Sequence, residues 1–189
     1  MKATKNPRIF ELNGKSLISD LISPLPYKGI VIHHAQYTVS DNYHLVFDID
    51  NWHKEKAIKA GWGGEWHGIW YGHVIERDGT PYQTVLFNNG IEQVGVIGNS
   101  PEREYNFNKD FTHICLSGNG DKQKITEIQL ENLLNLCHTL ASVYPMESGL
   151  IFTHGMLSNE KTCPGFYINK YFYAIAEYYQ KGVLSKGSR

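Results

Sequence analysis

The chain has 189 residues, 41% of them hydrophobic and 20% charged, with a formal net charge of -1. These values fit one soluble globular domain with a sizeable core, and they exclude a protein that grips nucleic acid or an anionic membrane surface by bulk charge. Three cysteines, Cys115, Cys137 and Cys163, make no disulfide framework in a chain of this length. No run approaches the ~18 apolar residues of a membrane span. The basic start Met1–Arg8 has no apolar run behind it, so no secretory signal is expected. The expectation is a monomer, made in a cytoplasm, with neither nucleic acid nor membrane as partner.

Residues 1–27 are mixed and polar and are predicted to form an arm packed on the domain, with a short strand or turn at Ile9-Phe10-Glu11-Leu12. Ile30-Val31-Ile32 reads as a buried central strand. Ser40 is the expected N-cap of a helix that runs to about Lys59 and presents Leu45, Val46, Ile49 and Trp52 on one face, ending at Gly61. The glycine- and tryptophan-rich loop 61–68 leads into a hairpin, Ile69–Glu76 and Pro81–Phe87, turning at Arg77-Asp78-Gly79-Thr80. Residues 88–110 lack periodicity and read as a long surface excursion. Phe111–Leu116 is the next strand.

Thr126-Glu127-Ile128-Gln129 has the form of a capping box. The helix behind it places Leu130, Leu133, Leu134, Cys137, Leu140 and Ala141 on one stripe, and Pro145 stops it. Strand 150–153 and a last aromatic helix, about 167–180, follow, the helix using Tyr171, Phe172, Ile175 and Tyr178 to pack on the sheet. Strands and helices interleave, so the expected fold class is α/β: a single domain over 28–182, with a central mixed β-sheet flanked by helices and a frayed tail at 183–189.

Two strand ends carry the chemistry. His154 closes the apolar run Ile151-Phe152-Thr153, and Cys163 follows nine residues later, ahead of Pro164-Gly165. An imidazole and a thiolate are two thirds of a catalytic zinc site, which keeps one position open. The best supplier of the third ligand is Gly29-Ile30-Val31-Ile32-His33-His34, another apolar strand ending in histidine. Strand ends hold ligands rigidly, as a catalytic metal requires. His34 alternates to the face opposite His33 and reads as a packed or supporting residue. A purely structural zinc site would close with four protein ligands, and only three are defensible here. Twelve tyrosines and four tryptophans suit either a groove that stacks on sugars and peptides or a tyrosine-rich core.

These blocks resemble the zinc-dependent N-acetylmuramoyl-L-alanine amidases, the type 2 family that includes phage lysozyme-amidases and peptidoglycan recognition proteins. Ile30-Val31-Ile32-His33-His34 is similar to the strand of the family's first ligand. Trp52-His53-Lys54 is similar to a Trp-His at the end of its first helix. Tyr71-Gly72-His73-Val74-Ile75-Glu76-Arg77-Asp78-Gly79 resembles the strand and turn that bear its active-site tyrosine. Thr153-His154 through Lys161-Thr162-Cys163-Pro164-Gly165 resembles the segment with the second and third ligands, the catalytic lysine standing two before the third. The likeness spans roughly residues 28–180, and the four blocks are specific in combination.

The resemblance implies Zn2+ held by His33, His154 and Cys163, with Tyr71 and Lys161 as catalytic residues facing the oxyanion of an amide hydrolysis. The implied substrate is peptidoglycan or a soluble muropeptide, cut between N-acetylmuramic acid and L-alanine. A phage-type endolysin is the natural setting, with a cytoplasmic muropeptide-recycling amidase as the nearest alternative and a catalytically inactive peptidoglycan-binding module as the rival class. Such a module is expected to lack the cysteine ligand. The chain departs from the family in three places. Gly72 precedes His73 where a histidine often follows the tyrosine directly, and the ligand loop is one residue shorter. Cys115 stands where some members carry a glutamate base. The general base stays open; Glu65, Glu76 and Glu160 lie near the proposed site but isolated in sequence.

Overall fold

The computed structural model describes residues 2–3, 9–12, 26–61, 69–84, 105–158 and 162–186. Their strands, β1 (Lys2–Ala3), β2 (Ile9–Glu11), β3 (Gly29–His34), β4 (His73–Ile75), β5 (Pro81–Thr84), β6 (Phe111–Leu116) and β7 (Ile151–Thr153), form one mixed sheet in the order β1-β2-β5-β4-β6-β3-β7. The pairs β4·β6, β6·β3 and β3·β7 are parallel, and β4·β5, β5·β2 and β2·β1 are antiparallel. A parallel strand between parallel neighbours is buried on both faces. Gly29-Ile30-Val31-Ile32-His33-His34 meets this: all six residues are buried.

Helices cover both faces. Alternate residues of β3 and β6, Ile30, Ile32, Ile114 and Leu116, join a core with Leu133, Leu136, Cys137, Leu140 and Ala141 of α3 (Glu127–Val143) and Ile175 and Tyr179 of α6 (Phe172–Ser185). The other face packs Val74 and Cys115 against Leu45, Val46 and Ile49 around α1 (Val46–Lys59). Farther along that face, Val31 and Phe111 meet Phe107 of the short α2 (Phe107–Asp110). Among the described residues no helix is long and apolar enough to cross a membrane.

The mixed α/β sheet and most element positions agree with the sequence reading, and the differences have physical causes. Ser40 does not cap α1. Its hydroxyl bonds the Asn42 side chain, and the helix starts at Val46 without any side-chain cap from Leu45. The helix N-terminus is served from the sheet instead: the buried Glu76 carboxylate accepts the Val46 N–H at 2.8 Å. The Thr126 box is half made, because Thr126 Oγ1 accepts the Gln129 N–H while the Gln129 amide donates to the carbonyls of Ile75 and Ser117. On the same helix Leu136 is buried and Leu130 lies at the rim. The last helix is split into α5 (Phe166–Asn169) and α6, which runs on to Ser185. Tyr179 rather than Tyr178 faces the core, its hydroxyl donating to the Glu147 carbonyl at 2.7 Å.

The hairpin turn falls at Arg77-Asp78-Gly79-Thr80, with Gly79 at φ +89 and its N–H donating to the Glu76 carbonyl. Most of the surface excursion at 88–110, the tryptophan-rich loop from Trp62 to Gly68, and most of the N-terminal arm lie outside the described residues.

Burial holds the Glu76 carboxyl above the ordinary carboxylate range, against the opposing pull of the hydrogen bonds it accepts. The folded chain therefore binds this proton more tightly than the unfolded chain. Its contribution to stability is full below the unfolded value of about 4.3 and is lost as pH rises through the folded value. Glu76→Ala, which leaves the Val46 N–H without its acceptor, is expected to cost about 1–3 kcal/mol in denaturant unfolding. Glu76→Gln keeps an acceptor, and as pH rises from about 4.3 through the raised folded value wild type should lose stability relative to it. Parallel pH profiles for the two proteins would contradict this role.

Candidate metal centre

The centre is built at the C-terminal ends of β3 and β7. In a parallel pair, residues in register share a face, and His33 pairs with Cys115 while Val31 pairs with His113. His33, His113 and Cys115 therefore point to the α1 side of the sheet. β7 ends at Thr153, whose Oγ1 accepts the Met156 N–H and opens the short helix α4 (His154–Leu157). His154 is the first residue of that helix, and its ring centroid lies 4.8 Å from that of His33.

Cys163 comes from the loop that follows α4, closed at its base by the Gly155 N–H donating to the Cys163 carbonyl at 2.6 Å. Its Sγ lies 3.9 Å from His33 Nδ1 and accepts the backbone N–H of His34 at 3.3 Å. One ligand atom from each of His33, His154 and Cys163 falls within 4.8 Å of the others. Tetrahedral zinc with bonds of about 2.0–2.1 Å to nitrogen and about 2.3 Å to sulfur sets N and S about 3.6 Å apart, so the observed 3.9 Å needs only a small contraction. The donor set fits zinc, and the N–H aimed at Sγ favours its thiolate form.

The loop is seated by backbone close approach. A Cβ on Gly120 would stand 1.9 Å from the Pro164 carbonyl oxygen, and one on Gly165, at φ +90, would stand 2.3 Å from the Gly120 carbonyl carbon. Two glycines thus let the Ser117–Asp121 turn lie flush against Pro164-Gly165. His34 fixes this turn from the far side: its Nδ1 accepts the Gly120 N–H at 2.8 Å. Asp121 adds its own bonds, accepting the Thr162 hydroxyl at 2.9 Å and the Phe166 N–H at 3.2 Å. His34 is a supporting residue on the opposite face from the metal cluster, as strand alternation requires.

Burial keeps His33, His34, His53 and His113 neutral. Burial lowers His33 well below the usual imidazole range, and the neighbouring His113 and His154 push the same way. Burial also lowers His34, takes His53 to about 3 and takes His113 to about 4. A neutral imidazole offers a lone pair, which is the form a metal binds.

Tyr71 joins this cluster. Its ring centroid is 5.2 Å from that of His33, and burial drives up the pKa of its hydroxyl and of the neighbouring Cys115 thiol. Thr84 pins the tyrosine backbone by donating its hydroxyl to the Tyr71 carbonyl at 2.7 Å. His53 of α1 holds the approach to it, accepting the Trp70 N–H at 3.0 Å and stacking on the Trp70 ring at 4.4 Å. His73 pairs with Ile114 and points to the face opposite the cluster. Lys161 lies outside the described residues, as do Glu65 and Glu160, and Glu76 is committed to the start of α1.

His113, which composition and spacing did not single out, is the residue the sequence reading missed. Its signal is the alternation Phe111-Thr112-His113-Ile114-Cys115, which puts it on one face with Cys115, although the register with His33 is not legible from sequence. An open cleft of about 220 Å³ lies over the centre, with His154, Cys163 and Tyr71 at its floor and Ile49, Trp52, His53 and Lys56 of α1 as one wall. Tyr37, half exposed, stacks on Trp52 at 4.2 Å and extends that wall outward.

Residues 23–166 match the family described as N-acetylmuramoyl-L-alanine amidase. Among solved structures, the N-acetylmuramoyl-L-alanine amidase LysC from Clostridium intestinale URNW is 25% identical, with 81% of this chain and 85% of that chain covered and a TM-score of 0.57. The endolysin amidase LysCS from the same organism is 24% identical over 80% of this chain and 84% of that one, with a TM-score of 0.55. The bumblebee protein PGRP-SA is 21% identical over 81% and 83%, with a TM-score of 0.59. No match was found among curated proteins.

The contact between Gly120 and Pro164 generates a test of the seating. Gly120→Ala should force the two loops apart at a cost of about 1–3 kcal/mol, read as a lower midpoint in urea, and should weaken zinc retention in metal analysis. Unchanged stability and metal content would show that the Cys163 loop does not depend on this contact. The fold and the family match together place the chain in the N-acetylmuramoyl-L-alanine amidase family.

Proposed function

We propose that this chain is a zinc-dependent hydrolase that cleaves the amide bond between N-acetylmuramic acid and L-alanine in peptidoglycan, in the manner of a phage endolysin. The observation that carries the reading is the convergence of His33, His154 and Cys163, the last two lining an open cleft and buried His33 directly behind them, with Tyr71 against His33. When bound there, zinc supplies Lewis acidity and lowers the pKa of water to about 7.

The chain's own residues do the rest. His33, His154 and Cys163 hold the ion, and α1 with Tyr37 provides a wall along which a glycopeptide lies. The Tyr71 hydroxyl is one donor for the developing oxyanion. Burial keeps that hydroxyl protonated, the form that donates to a carbonyl oxygen. Lys161, two residues before Cys163, is the second donor. Glycoside cleavage would call for two carboxylates flanking the bond. Glu76, the buried carboxylate on β4's turn, is taken up by the N-terminus of α1. A binding module without catalysis is the second reading; one neighbour of similar fold is a peptidoglycan recognition protein, PGRP-LE, in complex with tracheal cytotoxin. Cys163 favours the enzyme.

Digestion of purified peptidoglycan by the zinc-loaded protein should release stems with a new L-alanine amino terminus and leave glycan chains uncut, read by mass spectrometry. New reducing ends without alanine amines would refute the reading, and binding without either product would establish the module instead. Lys161→Ala should lower kcat with KM little changed, because the ammonium acts on charge that exists only in the transition state. An unchanged kcat would reduce Lys161 to a loop cation.

A further inference from the structure

Among the described residues, His113 is a buried imidazole that touches the proposed metal cluster without belonging to it. His113 is fully buried, between the apolar cluster of Val31, Phe107 and Phe111 on one side and His33 on the other. Its Nε2 lies 2.8 Å from the Phe107 carbonyl oxygen, and its Nδ1 lies 2.9 Å from His33 Nε2.

A carbonyl oxygen only accepts, so His113 Nε2 carries a proton. A neutral imidazole has one proton, which leaves His113 Nδ1 as a lone pair. The 2.9 Å contact with His33 then needs its proton from His33 Nε2. The neutral His33 ring is left with its lone pair on Nδ1, the atom 3.9 Å from Cys163 Sγ. The two rings are inclined by only 17°, with centroids 5.0 Å apart, so each N–H can run along the next lone pair.

We propose that His113 is a positioning residue for the metal centre: through the chain Phe107 C=O···H–Nε2 His113 Nδ1···H–Nε2 His33, it fixes the tautomer and ring orientation of His33 and so selects Nδ1 as the atom offered to the metal. This rests on the metal reading above. Histidine ligands need such an outer partner to hold the ring and raise its basicity. Here it is a second histidine anchored on a backbone carbonyl of α2, so the short helix Phe107–Asp110 is coupled to the metal through two rings.

The test uses the full chain and zinc alone. Zinc affinity is measured by competition with a chromophoric chelator at constant pH for wild type, His113→Phe and His113→Asn. Phenylalanine fills the space but accepts no hydrogen bond, and should weaken zinc binding about 10–100-fold. Asparagine, whose Oδ1 stands near the place of Nδ1, should recover most of that loss. In parallel, a 15N-resolved imidazole spectrum of metal-free wild type, with His33 identified by its loss in His33→Gln, should show the proton on Nε2. Wild-type affinity in His113→Phe overturns the inference, and so does a metal-free His33 protonated on Nδ1. If His113→Phe does not fold, the wild-type spectrum decides alone. Wild type that binds no zinc at all would sink the metal reading itself, a result distinct from zinc bound equally well with and without His113.

Discussion

The site depends on one constraint, the parallel pairing of β3 with β6 on one side and β7 on the other. A strand so placed has its backbone locked by two ladders, and its last two residues inherit that rigidity. The pleat then sends His33 and His34 to opposite faces of the sheet. One joins His154 and Cys163; the other grips the Gly120 turn on which the Cys163 loop is seated. A one-residue slip would exchange the two histidines and bury the wrong pair of faces. The apolar run before them makes that slip costly, since Ile30 and Ile32 fill one core and Val31 another.

Around that strand several polar groups of the described residues are tied to one another beside the cluster. The His34 N–H points at the sulfur, the Gly155 N–H holds the Cys163 carbonyl, and His113 takes the ring N–H of His33. Burial keeps the imidazoles neutral and the Cys115 thiol protonated. One ligand atom from each of His33, His154 and Cys163 is thereby held within 4.8 Å of the others. Tyr71 is brought in by a separate route, through α1 and the β4–β5 hairpin, with His53 and Thr84 as its fixings.

Much of this was legible in the sequence because it rests on local signals. Ile30-Val31-Ile32 before two histidines, the Asp-Gly hairpin and the α3 stripe each state a period or a turn chemistry, and the mixed α/β sheet follows from their order. The convergence of His33, His154 and Cys163 could be anticipated because each stands where an apolar strand runs out or just beyond. What escaped was set by tertiary packing. Ser40 looks like a cap, yet a carboxylate thirty residues beyond Val46, brought close only by the sheet, does the capping. Tyr178 and Tyr179 are adjacent aromatics, and only the docking angle of α6 chooses between them. His113 is one histidine among nine until the β3–β6 register sets it beside His33.

The account stands or falls on the metal centre, and diffraction from crystals of the zinc-loaded protein at the zinc absorption edge tests it most directly. One anomalous peak is predicted at the cleft floor, bonded to His33 through Nδ1, to a nitrogen of His154 and to Cys163 Sγ, with a fourth position open to the cleft. A peak bonded to other residues, or no peak after saturating zinc, would contradict it.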